Sequence, residues 1–215
     1  MIIAIAHSKG GVGKSTIAFN IAVELKKHFK TELVDLDFQQ TITHANSIRT
    51  KYNLDPIPII AFKNISEYKE YVMLDNDEKI SVVDVGGFDS ELNRLVILTS
   101  DIVITPVSAS GRELLGLKRF QSILEEMSNK VKNTIKVHIL LNNINPNKIK
   151  LDPLKRYISK SDNFILFESI LRKRADFDYS MDEGKNVIEY NKNSKASKEL
   201  KALINELETI VKDNK

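Results

Sequence analysis

The sequence predicts a single α/β domain built on a mostly parallel, twisted β-sheet with helices on both faces. Three observations carry this. Short apolar, β-branched runs recur along the chain, amphipathic stretches separate them, and a glycine-rich loop joins the first run to the first helix. The runs are continuously apolar, as strands buried on both faces require. Strand–helix alternation implies βαβ units with right-handed crossovers.

The elements follow in order. Residues 2–6 (IIAIA) read as the first strand. Residues 15–29 read as a helix, with Ile17, Ala18, Ile21, Ala22 and Leu25 on one face. Residues 32–36 (ELVDL), 57–61 (IPIIA), 79–85 (KISVVDV) and 101–107 (DIVITPV) read as the next four strands. A second helix over 112–127 turns Leu115, Phe120, Ile123, Leu124 and Met127 inward. Residues 136–142 (KVHILLN) and 163–168 (NFILFE) complete the strands. A closing helix over 194–211 carries Leu200, Leu203, Ile204, Leu207, Ile210 and Val211 at helical spacing. No repeat and no linker rich in Gly, Ser and Pro divides the chain, so residues 1–215 read as one domain.

Composition narrows the function classes. With 42% hydrophobic and 28% charged residues, the chain can bury an ordinary core. It has no cysteine, which excludes disulfides, thiolate metal sites, iron–sulfur clusters and cysteine nucleophiles. The opening apolar run is too short for a signal peptide, and no stretch approaches the roughly 20 apolar residues of a membrane span. These features predict a cytoplasmic protein. Charge is unevenly placed: residues 118–174 hold 13 Lys and Arg against 5 Asp and Glu, in a chain of net +3. Such asymmetry suits either a polyanion-binding face or a solvated lysine-rich surface.

The strongest chemical signal is Ser8–Ser15. It fits G-x-x-x-x-G-K-[ST] with Ser8 at the first glycine position. Gly10, Gly11 and Gly13 let the backbone curl so that successive N–H groups point at one anion. The helix N-terminus adds its positive end. Lys14 would reach the β- and γ-phosphates of a nucleotide, and the Ser15 hydroxyl would ligate Mg²⁺. Asp84, ending a strand in VVDVGG (82–87), is placed to hold that Mg²⁺ through water, with Gly86 and Gly87 freeing the loop beyond. In ELVDLDFQQ (32–40), Asp35 lies within the apolar run and reads as structural. Asp37 lies just past it, either to orient an attacking water or touch the metal shell, or as a plain loop acid.

KGGVGKST (9–16) resembles the deviant phosphate loop of the ParA/MinD ATPases, marked by the extra lysine Lys9. VDLDFQQ (34–40), VVDVGG (82–87), SDIVITPVSASGRELLGL (100–117), LLNNINP (140–146) and the stretch 174–207 resemble further segments of that family, on the side of the small ParF-like plasmid partition proteins. The sequence departs from it at Phe38, where proline is usual, and at His7–Ser8, which stand where Asn-Pro or Asn-Gln are usual; no catalytic role reads out of His7. The resemblance implies ATP and Mg²⁺ as cofactors, an ATP-bound sandwich homodimer, non-specific DNA binding and hydrolysis stimulated by a ParB-like centromere-binding partner. It implies DNA partition on the nucleoid, without a membrane and without an N-terminal helix-turn-helix domain. Carried onto this chain, Lys9, Lys14 and Asp37 are catalytic. Lys9, Gly10, Gly11, Val12, Gly13, Lys14, Ser15, Thr16 and Asn142 hold the nucleotide, with Asn143 the fallback for Asn142 at adenine. Ser15, Asp84 and Asp37 serve the metal. Lys148, Lys150, Lys155, Arg156, Arg172, Lys173 and Arg174 become the candidate DNA contacts. Two alternatives stand beside this: a MinD-like membrane-associated positioner, which the acidic polar face of the last helix disfavours, and a ParA-like positioner of a non-DNA cargo.

Overall fold

A computed structural model describes residues 1–62, 64–74, 79–87, 89–109, 111–148 and 150–214, excluding the side chains of 111–113. The predicted 112–127 helix thus begins at a residue whose side chain lies outside the described set.

The elements run β1 (Ile2–Ile5), α1 (Lys14–Leu25), β2 (Lys30–Leu36), α2 (Thr41–Arg49), β3 (Ile59–Ile60), α3 (Ile65–Met73), β4 (Lys79–Val85), α4 (Glu91–Thr99) and β5 (Ile102–Val107). They continue α5 (Gly111–Val131), β6 (Val137–Ile144), α6 (Asp152–Ile158), β7 (Phe164–Arg172), α7 (Ala175–Asp182), α8 (Val187–Tyr190) and α9 (Lys195–Asp213). The seven strands form one sheet in the order β3-β2-β4-β1-β5-β6-β7. Every pairing is parallel, as continuously apolar strands predict.

Two apolar layers sandwich the sheet. Ile3 and Ile5 of β1 face one layer, where α1 and α9 contribute Ile17, Ile21, Leu25, Leu200, Leu203 and Leu207. Ile2 and Ala4 face the other, filled by Val96 and Ile97 of α4 and Leu117, Phe120 and Leu124 of α5. The predicted apolar faces of α1 and α9 are therefore buried. Leu115 is the exception in α5: it is 67% exposed, while Leu114 and Leu117 turn inward. Among the described residues no helix is long and apolar enough to cross a membrane.

Neighbouring strands β1 and β4 are followed by helices on opposite faces, α1 on one and α4 on the other. The carboxyl ends of strands whose helices lie on opposite faces are the usual ligand position in such sheets. The far rim is fastened by polar contacts. Buried Arg49 of α2 bonds Glu189 of α8 at 2.8 and 2.9 Å and the Gly184 carbonyl at 2.9 Å. Asn186 and Glu189 form a capping box that starts α8.

Candidate nucleotide site

The loop between β1 and α1 is the glycine-rich segment. Gly11 (φ 72°) and Gly13 (φ 90°) occupy the left-handed region, where a Cβ is strained, and Gly13 caps α1 directly before Lys14. A Cβ on Gly13 would also stand 2.6 Å from Nδ2 of Asn142. That amide of β6 donates to the Val12 carbonyl at 2.8 Å. Asn142 therefore braces the loop with the group proposed to read adenine, and Asn143, at φ 55°, stands beside it on the cavity wall.

A second close approach comes from the loop after β4. A Cβ on Gly87 would lie 2.7 Å from the Gly10 Cα and 2.8 Å from its N. The sequence motif suggested mobility for this glycine. In the structure it also permits the acidic strand end to press against the phosphate loop.

Three carboxylates converge there. Asp35, paired in register with Asp84 across β2 and β4, accepts the Asp37 N–H at 3.2 Å, the Thr43 N–H at 3.2 Å and the Thr43 hydroxyl at 2.6 Å. It is a brace, as its place within the apolar run suggests. Asp37 is half-buried, accepts the Gln39 N–H at 3.0 Å and lines the cavity. Phe38 beside it is 91% exposed. Asp84 is fully buried, and among the described residues neither carboxylate oxygen has a hydrogen-bond partner of good geometry. Burial drives its pKa up to about 7; the nearby Ser15 hydroxyl and Lys14 offset part of this, while Asp35 and Asp37 add repulsion. Lys14 is itself buried, which lowers its pKa against the pull of Asp84 and Asp37, and its ammonium donates to the Lys9 carbonyl at 3.3 Å.

An orphaned buried carboxylate next to a hydroxyl fits Mg²⁺ held jointly with phosphate oxygens and water. No cluster of three or more His, Cys, Asp or Glu that could hold a metal occurs among the described residues, so such an ion would depend on the nucleotide for its remaining ligands. Without ligand, this acid carries a stability penalty with a definite pH sign. The folded pKa lies above the ordinary 3.8, so the folded state holds the extra proton between about pH 4 and 7. Stability is lost as pH rises through that window. Asp84→Asn is therefore expected to raise the melting temperature of the nucleotide-free protein at pH 8, by up to roughly 4 kcal/mol in stability, and to change it little near pH 4. Thermal unfolding at the two pH values measures this; a less stable variant at pH 8 would contradict it.

The cavity has a volume of about 630 Å³, room for a nucleotide. Gly10 to Ile17 line it together with Asp37, Gln39, Thr41, Gly87, Asn142 and Asn143. Its opposite wall is the 172–174 segment with Phe177 and Asp178 of α7. Phe177 and Asp178 carry no local motif in the sequence, and only the fold brings them to the loop. Lys9 does not line this cavity. A Cβ placed on Gly116 of α5 would touch the Lys9 Cδ at 3.6 Å, so this side chain lies along α5.

The candidate basic residues divide into two groups. Arg174 is paired with Glu199 of α9 at 2.7 Å, and Glu199 also accepts the Arg172 N–H at 2.9 Å. The Arg172 guanidinium caps the carbonyls of Asn145, Pro146 and Lys148. These two arginines thus hold the cavity wall in shape. Lys148, Lys150, Lys155, Arg156 and Lys173 are exposed, with Lys148 also reaching the Ala109 carbonyl.

Comparison with known proteins agrees with this fold. Residues 3–187 match the family described as the CobQ/CobB/MinD/ParA nucleotide binding domain. The chain is 23% identical over 207 residues to the maintenance of carboxysome distribution protein A of Halothiobacillus neapolitanus, covering 95% of both chains. It is similar to a Borrelia burgdorferi B31 structure described as a plasmid partition protein bound to AMPPNP, with TM-score 0.74 and 21% identity over 97% of this chain and 98% of that one. It is also similar to the septum site-determining protein MinD of Pyrococcus horikoshii complexed with Mg-ADP, with TM-score 0.73 and 14% identity over 100% and 98% of the two chains.

Proposed function

The chain belongs to the CobQ/CobB/MinD/ParA nucleotide-binding family, and from that premise we propose that it is an ATP-driven positioning ATPase whose ATP-bound homodimer binds DNA without sequence preference. The observation that carries the reading is the divergence of two lysines from one loop. Lys14 sits buried in the cavity, whereas Lys9 lies outside it along α5. Lys9, held against α5 and outside the cavity, is read as the lysine that meets the phosphates of a second subunit. Lys14 and the loop from Gly10 to Thr16 hold the phosphates, Ser15 and Asp84 hold Mg²⁺, and Asp37 orients the attacking water. When bound, Mg²⁺ would neutralise phosphate charge beside these acids. We read residues 1–215 as one such ATPase domain, working in the cytoplasm on the nucleoid and stimulated by a ParB-like partner.

The DNA face is assigned to the exposed group: Lys148, Lys150, Lys155, Arg156 and Lys173. Arg172 and Arg174 support the wall behind it. ATP-loaded protein is expected to shift random-sequence DNA, with ADP-loaded protein at least tenfold weaker, and added salt is expected to collapse the shift. Reversing Lys150, Lys155 and Arg156 to glutamate should weaken it uniformly across sequences. Equal shifts with ATP and ADP would overturn the switch. The cargo is read as a DNA partition complex. A non-DNA assembly moved by the same cycle is the second reading, favoured by the carboxysome-distribution relative. Co-purification of tagged protein with plasmid centromere DNA or with a protein assembly separates the two.

A further inference from the structure

We propose that His7 is a positioning residue for Lys9: its Nδ1, seated against α5, accepts the Lys9 N–H and so sets the entrance of the phosphate loop, which holds Lys9 ready for a second subunit. The inference rests on the cross-subunit reading of Lys9 given above. His7 is 2% exposed and lies two residues past the end of β1. Its Nδ1 accepts the backbone N–H of Lys9 at 3.0 Å. An accepting Nδ1 on a neutral ring places the proton on Nε2.

The ring is held from α5 in two places. It stacks on Phe120 with centroids 5.4 Å apart and planes 13° from parallel. One turn earlier on the same face, a Cβ at Gly116 would lie 3.6 Å from both the His7 Cε1 and the Lys9 Cδ. The smallest side chain thus leaves a shared seat for the histidine ring and the lysine stem. His7 and Lys9 form one packed unit against α5, through backbone and side chain together.

A histidine retained only as core filler would not suit this position. Among the described residues its Nε2 has no hydrogen-bond partner, and the ring borders a cavity of about 10 Å³, room for about one water. A buried unpaired N–H costs stability that a phenyl ring in the same stack would not. What phenylalanine cannot supply is an acceptor for the Lys9 N–H. The polar ring is therefore explained by the bond it makes to the loop.

Two measurements test this. Nitrogen NMR of the wild-type imidazole should show a neutral Nε2–H tautomer at pH 7. Sedimentation should then compare ATP-dependent dimerisation of wild type, His7→Phe, His7→Asn and Lys9→Ala, with ADP affinity measured in parallel. His7→Phe keeps the stack and loses the acceptor, so dimerisation should fall at least about tenfold more than ADP affinity, the size of one hydrogen bond. His7→Asn restores an acceptor oxygen near the Nδ1 position and should recover dimerisation to within about threefold. An Nδ1–H tautomer overturns the role of His7, as does a normally dimerising His7→Phe beside a defective Lys9→Ala. Should His7→Phe fail to fold, a tenfold dimerisation defect in a folded His7→Asn overturns it equally. A normally dimerising Lys9→Ala overturns the cross-subunit reading itself, and the role of His7 with it.

Discussion

Asp37→Ala is expected to keep ATP bound and to lose at least about a hundredfold in hydrolysis rate, the scale of a positioned general base or water-orienting group. In the proposed function the phosphates are gripped by elements that the substitution does not touch: the loop braced by Asn142, buried Lys14 and the N-terminus of α1. Asp37 stands on the same cavity wall but on a separate segment, after β2. Its position is fixed from behind, because Asp35 accepts its N–H and also anchors Thr43 at the start of α2. One confounding effect is local. Asp37 also accepts the Gln39 N–H, so alanine would loosen that turn. Asp37→Asn separates the two roles, since its amide oxygen keeps the turn while the negative charge is gone. Both variants should bind ATP within severalfold of wild type and hydrolyse it at the same depressed rate, measured as single-turnover phosphate release. Normal turnover in Asp37→Asn would remove the carboxylate from the chemistry.

How much of this was readable depends on how far apart the partners lie. Contiguous features were legible: seven apolar runs became seven strands, and the glycine-rich segment lies between β1 and α1 and lines the cavity. Helices α2, α3, α4, α6, α7 and α8 were not foreseen. Each is nine residues or fewer, too short for a helical period to stand out, and α4 (ELNRLVILT) is apolar enough to be read as either element. Leu115 shows a subtler limit. The heptad-like pattern over 112–127 admits two phases, and packing of Leu114 and Leu117 selects the one that leaves Leu115 in solvent. The braces of the site are contacts between distant segments. Asn142 lies 130 residues from Val12, and Glu199 lies 25 from Arg174 on a different element. Arg174 was open to either a DNA-contacting or a structural reading, and only its pairing with Glu199 supplied the structural one. Gly87 was legible as a glycine but not as a contact, since its need for space is set by the Gly10 backbone opposite.

Lys9→Ala should abolish ATP-dependent dimerisation while leaving each chain able to bind nucleotide, because the two lysines face different charges. Lys14 sits among Asp84 and Asp37, whose pull offsets part of the cost of its burial, and it needs no second chain to be useful. Lys9 lies along α5, outside the cavity that holds Lys14. Closing two such sites face to face brings two polyphosphates together, and their repulsion must be offset by cations at the interface. A two-fold axis repeats any contact, so one lysine per chain supplies two cross-subunit attractions. At about 4 Å and an effective dielectric near 20, each is worth roughly 4 kcal/mol before desolvation. Losing even a third of that from both sites costs about 2.7 kcal/mol, which is about a hundredfold in dimer affinity. Sedimentation with a non-hydrolysed ATP analogue reads the dimer, and ADP titration of the same variant reads the single-chain site. Dimers of normal affinity would show that the second lysine of this loop acts within its own chain. A parallel loss of ADP affinity would show that the loop has lost its shape.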